Sequence, residues 1–490
     1  PARTAWTARL DALGGGGWPG TEETDLTKIS SSTLGSDFRS APTIAAQEGA
    51  VTATNDTGHT SALAASGAPV TGGSFAMNPD GTINTTLWND FASRGIHEQV
   101  VKAKALAAAY YGSAPKRTYW DGGSTGGRQA LKQAQKYPED FDGIVAGYPA
   151  NNWSKFITAE LYPQIVIQRD LGGAYMSPGQ LNLVSNAAIA ACDVVGGKHL
   201  GYILDPSACR YDPTQDAAVL CTASGGTNGT SDCVTPVQAQ AINKIWYGMT
   251  ADGSVPDPAV DNGWAIAPTG LQRWYGLARG TSLLALASPV PFSIGVEQVA
   301  LELQDPTIAG PNFVNATGNG ADRWKTLTYA QLSNAFDRGV ALQPAFGYIN
   351  TDEPDLSAFK ARGGKLIQYH GHADVVIFPQ GSMNYYERVA ASMGGIDAVK
   401  SFYRLFFVPG MSHGPGNGTS NPDANPPYPA TGQVYSMLTD WVEKGMAPDS
   451  VVIQSQGSTP AAKSQPLCAY PKKATFVNGD AFSASSYSCS

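Results

Sequence analysis

Three residues of this 490-residue chain have the types and the order needed for acyl transfer: Ser124, Asp374 and His413. A serine hydroxyl is a weak nucleophile at neutral pH. A histidine that takes its proton activates it, and a carboxylate fixes the tautomer of that histidine and stabilises the imidazolium. Ser124 lies in a G-x-S-x-G pentapeptide, Gly122-Gly123-Ser124-Thr125-Gly126. With 55 glycines in the chain, any serine has roughly a 1% chance of that flanking, so the pentapeptide alone decides nothing. A second copy, Gly410-Met411-Ser412-His413-Gly414, makes the point. It runs into Pro415-Gly416-Asn417-Gly418, which cannot open a helix.

Position separates the two copies. Residues 116–120 read as a strand and 128–136 as a run of strong helix formers, so Ser124 falls on a strand–turn–helix elbow that exposes its hydroxyl. The N-terminus of that helix offers Thr125 N–H to a developing oxyanion. The second donor is expected from the Gly14-Gly15-Gly16-Gly17 loop, at Gly15 or Gly16, where no side chain blocks the backbone. Residues 98–111 read as a helix ended by Gly112, and 141–147 as a buried parallel strand. From Val51 to about residue 114 the pattern is strand, loop, helix. Two more strands, 364–370 and 402–408, each end in a turn: one carries Asp374, the other His413.

Strands alternating with helices predict an α/β sheet, and the order Ser, Asp, His is that of α/β-hydrolases. Between residues 151 and 350 the alternation is lost. This predicts a core in two parts, 1–150 and 351–490, with an inserted lid, 151–350. His59, His97 and His199 precede the late strands, and His370 and His372 flank the acid; all five read as structural. Asp352 and Asp355 read as helix caps.

Composition narrows the class. The chain is 42% hydrophobic and has a net charge of −8 from 32 Lys+Arg and 40 Asp+Glu, which argues against a nucleic-acid partner. No apolar run is long enough for a membrane span. Six cysteines, four of them clustered at 192–233 and two near the end, have no CxxC spacing and point to local disulfides rather than a metal site. The start at Pro1, without a leader, predicts a mature secreted product.

Several segments together resemble one family. Ala53-Thr54-Asn55-Asp56-Thr57-Gly58-His59, Gly122-Gly123-Ser124-Thr125-Gly126-Gly127-Arg128-Gln129, Tyr137-Pro138-Glu139-Asp140-Phe141-Asp142-Gly143-Ile144, His370-Gly371-His372-Ala373-Asp374, Pro409-Gly410-Met411-Ser412-His413 and Asp440-Trp441-Val442-Glu443-Lys444-Gly445 are similar, in order, to tannases and feruloyl esterases. The resemblance implies an α/β-hydrolase core with a large lid, no organic cofactor, and the triad Ser124, Asp374, His413. It implies as substrate a small aromatic ester, free or carried on plant polysaccharide. A hydroxycinnamate ester is the first reading, with gallate esters and terephthalate monoesters as alternatives. A catalytically silent phenolic- or carbohydrate-binding protein on the same fold is the rival of another class. The resemblance also implies the disulfides Cys192–Cys209, Cys221–Cys233 and Cys468–Cys489.

Two departures stand out. The family places cysteines, joined in a disulfide, beside the nucleophile and the histidine, where this chain has Gly123 and Gly414. Packing must therefore hold the two loops together. The family's calcium loop is also reduced here to Cys192-Asp193-Val194-Val195-Gly196-Gly197-Lys198-His199-Leu200-Gly201. One carboxylate is too few for Ca²⁺, so no metal is expected.

Overall fold

A computed structural model describes residues 1–18, 34–59, 72–457 and 461–490. Part of the loop after Val51 therefore lies outside the described residues.

Six strands form a parallel sheet: β1 (Arg9–Leu13), β2 (Val51–Ala53), β3 (Arg117–Gly123), β4 (Gly143–Gly147), β5 (Lys365–Gly371) and β6 (Tyr403–Val408). Their spatial order is β6-β5-β4-β3-β1-β2. The interior strands bury apolar residues on both faces, as a sheet covered on both sides must, with a few buried polar groups such as Asp11, Asp121 and Gln368 among them. Successive residues alternate between two cores. Trp120, Ile144, Leu366 and Leu405 face one side; Tyr119, Val145, Ile367 and Phe406 face the other.

The first face is covered by α1 (Gly95–Tyr111) and α2 (Thr125–Lys136), through Val100, Ala103, Ala130 and Leu131. Helix α1 ends where Gly112 takes a left-handed conformation, φ 80°, at the residue the sequence marks as its stop. Residues 148–364, between β4 and β5, add no strand to this sheet. This stretch contains α3 (Trp153–Glu160), α4 (Ser293–Leu303) and α5 (Tyr329–Ala341), packed together in an apolar cluster of their own with Trp153, Val299 and Leu332. After β5, α6 (Gln380–Ser392) returns to the first face, and α7 (Gln433–Lys444) covers the second with Leu438 and Trp441.

The strands and helices fall where the sequence places them, with shifted ends. β3 runs on through Asp121, Gly122 and Gly123, because these three still pair in register with β4 as Asp121↔Val145, Gly122↔Ala146 and Gly123↔Gly147. The elbow helix starts at Thr125, three residues before the strong helix formers. The three disulfides pair as the resemblance implies, Cys192–Cys209, Cys221–Cys233 and Cys468–Cys489.

Because every strand of the sheet is parallel, the loops that follow β1, β3, β4, β5 and β6 emerge at the same edge. Ligands in open α/β sheets bind at this carboxyl edge.

Candidate active site

Ser124 sits between β3 and α2 with φ 59° and ψ −123°, a backbone state that side-chain-bearing residues rarely adopt. Its surroundings hold it there. Ser124 N–H donates to Gly147 O at 3.0 Å, and Ser124 O accepts from Arg128 N–H at 3.0 Å and Ala150 N–H at 2.9 Å. The turn is also too crowded for side chains: a Cβ on Gly126 would lie 2.7 Å from Gly14 O. This contact presses the Gly14–Gly17 loop onto the start of α2.

Asp374 lies in the turn after β5 and is fully buried. Its Oδ1 accepts from Val376 N–H and Ile377 N–H, both at 2.9 Å. Its Oδ2 meets His413 Nδ1 at 2.9 Å and His370 Nε2 at 3.0 Å. Burial pushes this carboxyl up, but His413 and His370 outweigh it and hold the group well below the ordinary carboxylate range. An ionised Asp374 fixes the proton of His413 on Nδ1 and leaves Nε2 as the base.

Ser124, Thr125, His413 and the Gly14–Gly17 loop line one cavity of about 460 Å³, which Trp153, Phe156, Ile157, Phe292 and Ile294 of the 151–350 stretch also line. The structure thus brings the sequence-predicted Ser124, Asp374, His413, Thr125, Gly15 and Gly16 to one place. Thr125 opens α2, so its N–H has no partner within the helix, and its hydroxyl donates to Gly17 O at 2.8 Å.

The missing cysteine pair is answered by a residue the sequence did not single out. Tyr148 follows β4, and its phenol fills the gap between the Ser124 and His413 loops. A Cβ on Gly123 would lie only 2.2 Å from Tyr148 Oη and 2.3 Å from its Cζ, and one on Gly414 would lie 3.2 Å from Tyr148 Oη and 2.5 Å from Phe38. The ring meets the His413 imidazole edge-on, 4.8 Å between centroids. Its hydroxyl donates to Ser36 O at 2.9 Å, which Tyr369 also reaches at 2.7 Å. Beneath them, Ser36 N–H donates to the buried Asp121 at 2.9 Å. Burial, and then the nearby Asp37, push the Asp121 carboxyl up to about 6.

The other sequence candidates lie elsewhere. His59, His97 and His199 bond to Trp18 O, Asp140 and Asp193. Asp355 accepts from Ser357 N–H but lies one residue before the N-cap of that helix, Leu356, so it is not the cap the sequence suggests. Asp352 does not cap: it pairs with Lys155 at 3.1 Å. Ser412 lies in a short hairpin, with no helix after it. In the reduced loop at 192–201, both Asp193 oxygens are already engaged, by His199 at 2.6 Å and Gly201 N–H at 2.8 Å.

Comparison with known proteins agrees with this architecture. The family model described as "Tannase and feruloyl esterase" matches residues 1–490. A probable feruloyl esterase from Arthroderma benhamiae is 33% identical over 494 residues, covering 100% of this chain and 81% of the relative. A probable feruloyl esterase B-2 from Neosartorya fischeri is 30% identical, covering 78% of this chain and 68% of the relative. Among solved structures, feruloyl esterase B from Aspergillus oryzae superposes with a TM-score of 0.74 at 25% identity, covering 99% of this chain and 85% of that one. A tannin acyl hydrolase from Aspergillus niger shares the fold, with a TM-score of 0.72 at 24% identity. With its parallel sheet, its serine elbow and a family match along its whole length, the chain belongs to the tannase and feruloyl esterase family of carboxylic ester hydrolases, on an α/β-hydrolase fold.

Proposed function

We propose that this protein hydrolyses esters of hydroxycinnamic acids through an acyl-enzyme on Ser124. The observation that carries the reading is the cavity itself. Ser124 and His413 line it together with a largely apolar and aromatic set that includes Trp153, Phe156 and Phe292, suited to a flat acyl ring. His413 Nε2 takes the Ser124 proton as the oxygen attacks the ester carbonyl. The N–H groups of Thr125 and of Gly15 or Gly16 receive the oxyanion, and His413 returns the proton to the leaving alcohol. Water then repeats the sequence on the acyl-enzyme, releasing the acid. Residues 151–350 act as the lid that closes this cavity.

Asp193 is spent on protein partners, so the reading calls for no metal. Three disulfides fit a secreted enzyme acting on plant cell-wall esters. The test is the rate on methyl ferulate, methyl gallate and a terephthalate monoester. Methyl ferulate should give the highest kcat/KM, and a higher value on methyl gallate would replace the feruloyl reading by the tannase one.

A further inference from the structure

The lid wall of the cavity carries one ionisable side chain, Glu160, the last residue of α3. It is 2% exposed, and neither of its carboxyl oxygens has a hydrogen-bond partner. Two neighbouring buried acids show the usual arrangement. Glu302 takes bonds from Thr158 at 2.9 Å and Gln298 at 3.0 Å, and Glu297 from Gly73 N–H at 3.0 Å. A carboxyl buried without a partner is strongly unfavourable when ionised and less so when neutral. Burial, with Asp374 nearby, pushes Glu160 well above the ordinary carboxylate range, so it presents both an O–H donor and a C=O acceptor.

The other polar side chains of the cavity are committed. Thr125 bonds to Gly17 O, Tyr148 to Ser36 O and His413 to Asp374. Even the Trp153 indole N–H is taken, by Gln298 at 3.0 Å. Ser124 is assigned to the chemistry. Glu160 alone among the described lining side chains keeps all its hydrogen-bonding capacity, and Trp153, Phe156 and Ile157 of its own helix surround it with apolar surface.

We infer that Glu160 is the specificity determinant for the acyl ring, pairing with a phenolic hydroxyl that both donates to and accepts from its carboxyl group. The apolar surround fits a ring bearing one or two hydroxyls better than a polyhydroxylated alcohol. The inference rests on the esterase reading above, and it narrows the substrate to acids with a free ring hydroxyl.

The experiment compares wild type, Glu160→Leu and Glu160→Gln on methyl 4-hydroxycinnamate, methyl 4-methoxycinnamate and methyl cinnamate. Methyl esters keep any effect off the alcohol side. Wild type should favour the free hydroxyl over both analogues by about tenfold or more in kcat/KM, the usual penalty for an unmatched buried polar group. Glu160→Leu should lose that preference, mainly through a higher KM for the hydroxyl compound. Glu160→Gln, which still donates and accepts, should retain the preference.

Calorimetric binding of the same three esters to a Ser124→Ala protein, with and without Glu160→Leu, reads the same discrimination without turnover. It therefore separates the two claims. An enzyme inactive on all three esters but still binding the hydroxyl compound selectively would sink the esterase reading and keep Glu160. A Glu160→Leu preference within twofold of wild type, in rate or in binding, would overturn the role of Glu160.

Discussion

Asp374 illustrates how single residues set the chemistry of the cavity. Its four hydrogen bonds come from two backbone N–H groups and two imidazoles. His370, which the sequence reads as merely flanking the acid, is therefore a positioning residue: it is fully buried and also meets Ser382 Oγ at 2.8 Å. A hydrogen bond to a charged group is worth about 1.5–3 kcal/mol. His370→Ala should accordingly lower kcat on the order of tenfold or more with little change in KM, because the orientation of His413 is what suffers. An unchanged kcat would remove His370 from the account. Tyr148 is the second case. Tyr148→Phe keeps the ring against His413 and should stay within a few-fold of wild type. Tyr148→Ala opens the space between Gly123 and Gly414, and should cut kcat by about 10²-fold through misplaced reacting groups. Adding Gly123→Cys and Gly414→Cys to Tyr148→Ala tests the same point, since a recovered rate on forming the disulfide would show that both devices hold the two loops together.

At the scale of elements, the parallel sheet does the positioning. The run 141–147 was legible because its buried strand is largely apolar, and the runs 364–370 and 402–408 because their apolar residues are bounded by turns. The helices were legible from propensity and from Gly112. The elbow position of Ser124 was legible because strand–turn–helix context separates it from Ser412. Tyr148 and Glu160 were not, since an aromatic after a strand and an acid closing a helix have no one-dimensional mark. Their roles come from what other loops bring against them. The same holds for the contact between Gly126 and Gly14 O. Gly126→Ala would push the glycine loop away from α2, so it should lower kcat while the protein still folds. Overpacking of this kind costs about 1–3 kcal/mol of stability, readable as a lower Tm. Full activity in Gly126→Ala would mean that the Gly14–Gly17 loop does not serve the oxyanion.

For the whole molecule, buried acids shape the response to pH. Burial, as the largest cause, raises Asp11 to about 7, Asp121 to about 6 and Glu297 to about 7. Unfolded, such groups titrate near pH 4. The folded chain therefore holds protons that the unfolded chain has already lost. The stability these groups contribute is fully present below about pH 4 and is lost as the pH rises through 6 to 7. His372, lowered to about 4 by burial, and His59, also lowered by burial, work in the opposite sense, while Glu160 and Glu302, raised well above the ordinary carboxylate range by burial, add to the first. Tm should fall between about pH 5 and pH 7.5, and Glu297→Gln should flatten that slope; a Tm that rises over this range would contradict the assignment. Chelation should leave Tm and rate unchanged, whereas a bound ion would show itself as a drop of several degrees on its removal.

The central claim is that Ser124, driven by His413 and Asp374, attacks an aromatic ester. The most direct measurement is turnover of methyl ferulate by Ser124→Ala beside wild type, with Tm recorded for both. The account predicts a kcat lower by about 10⁴-fold or more at an unchanged Tm; substantial turnover by the folded Ser124→Ala protein would contradict it.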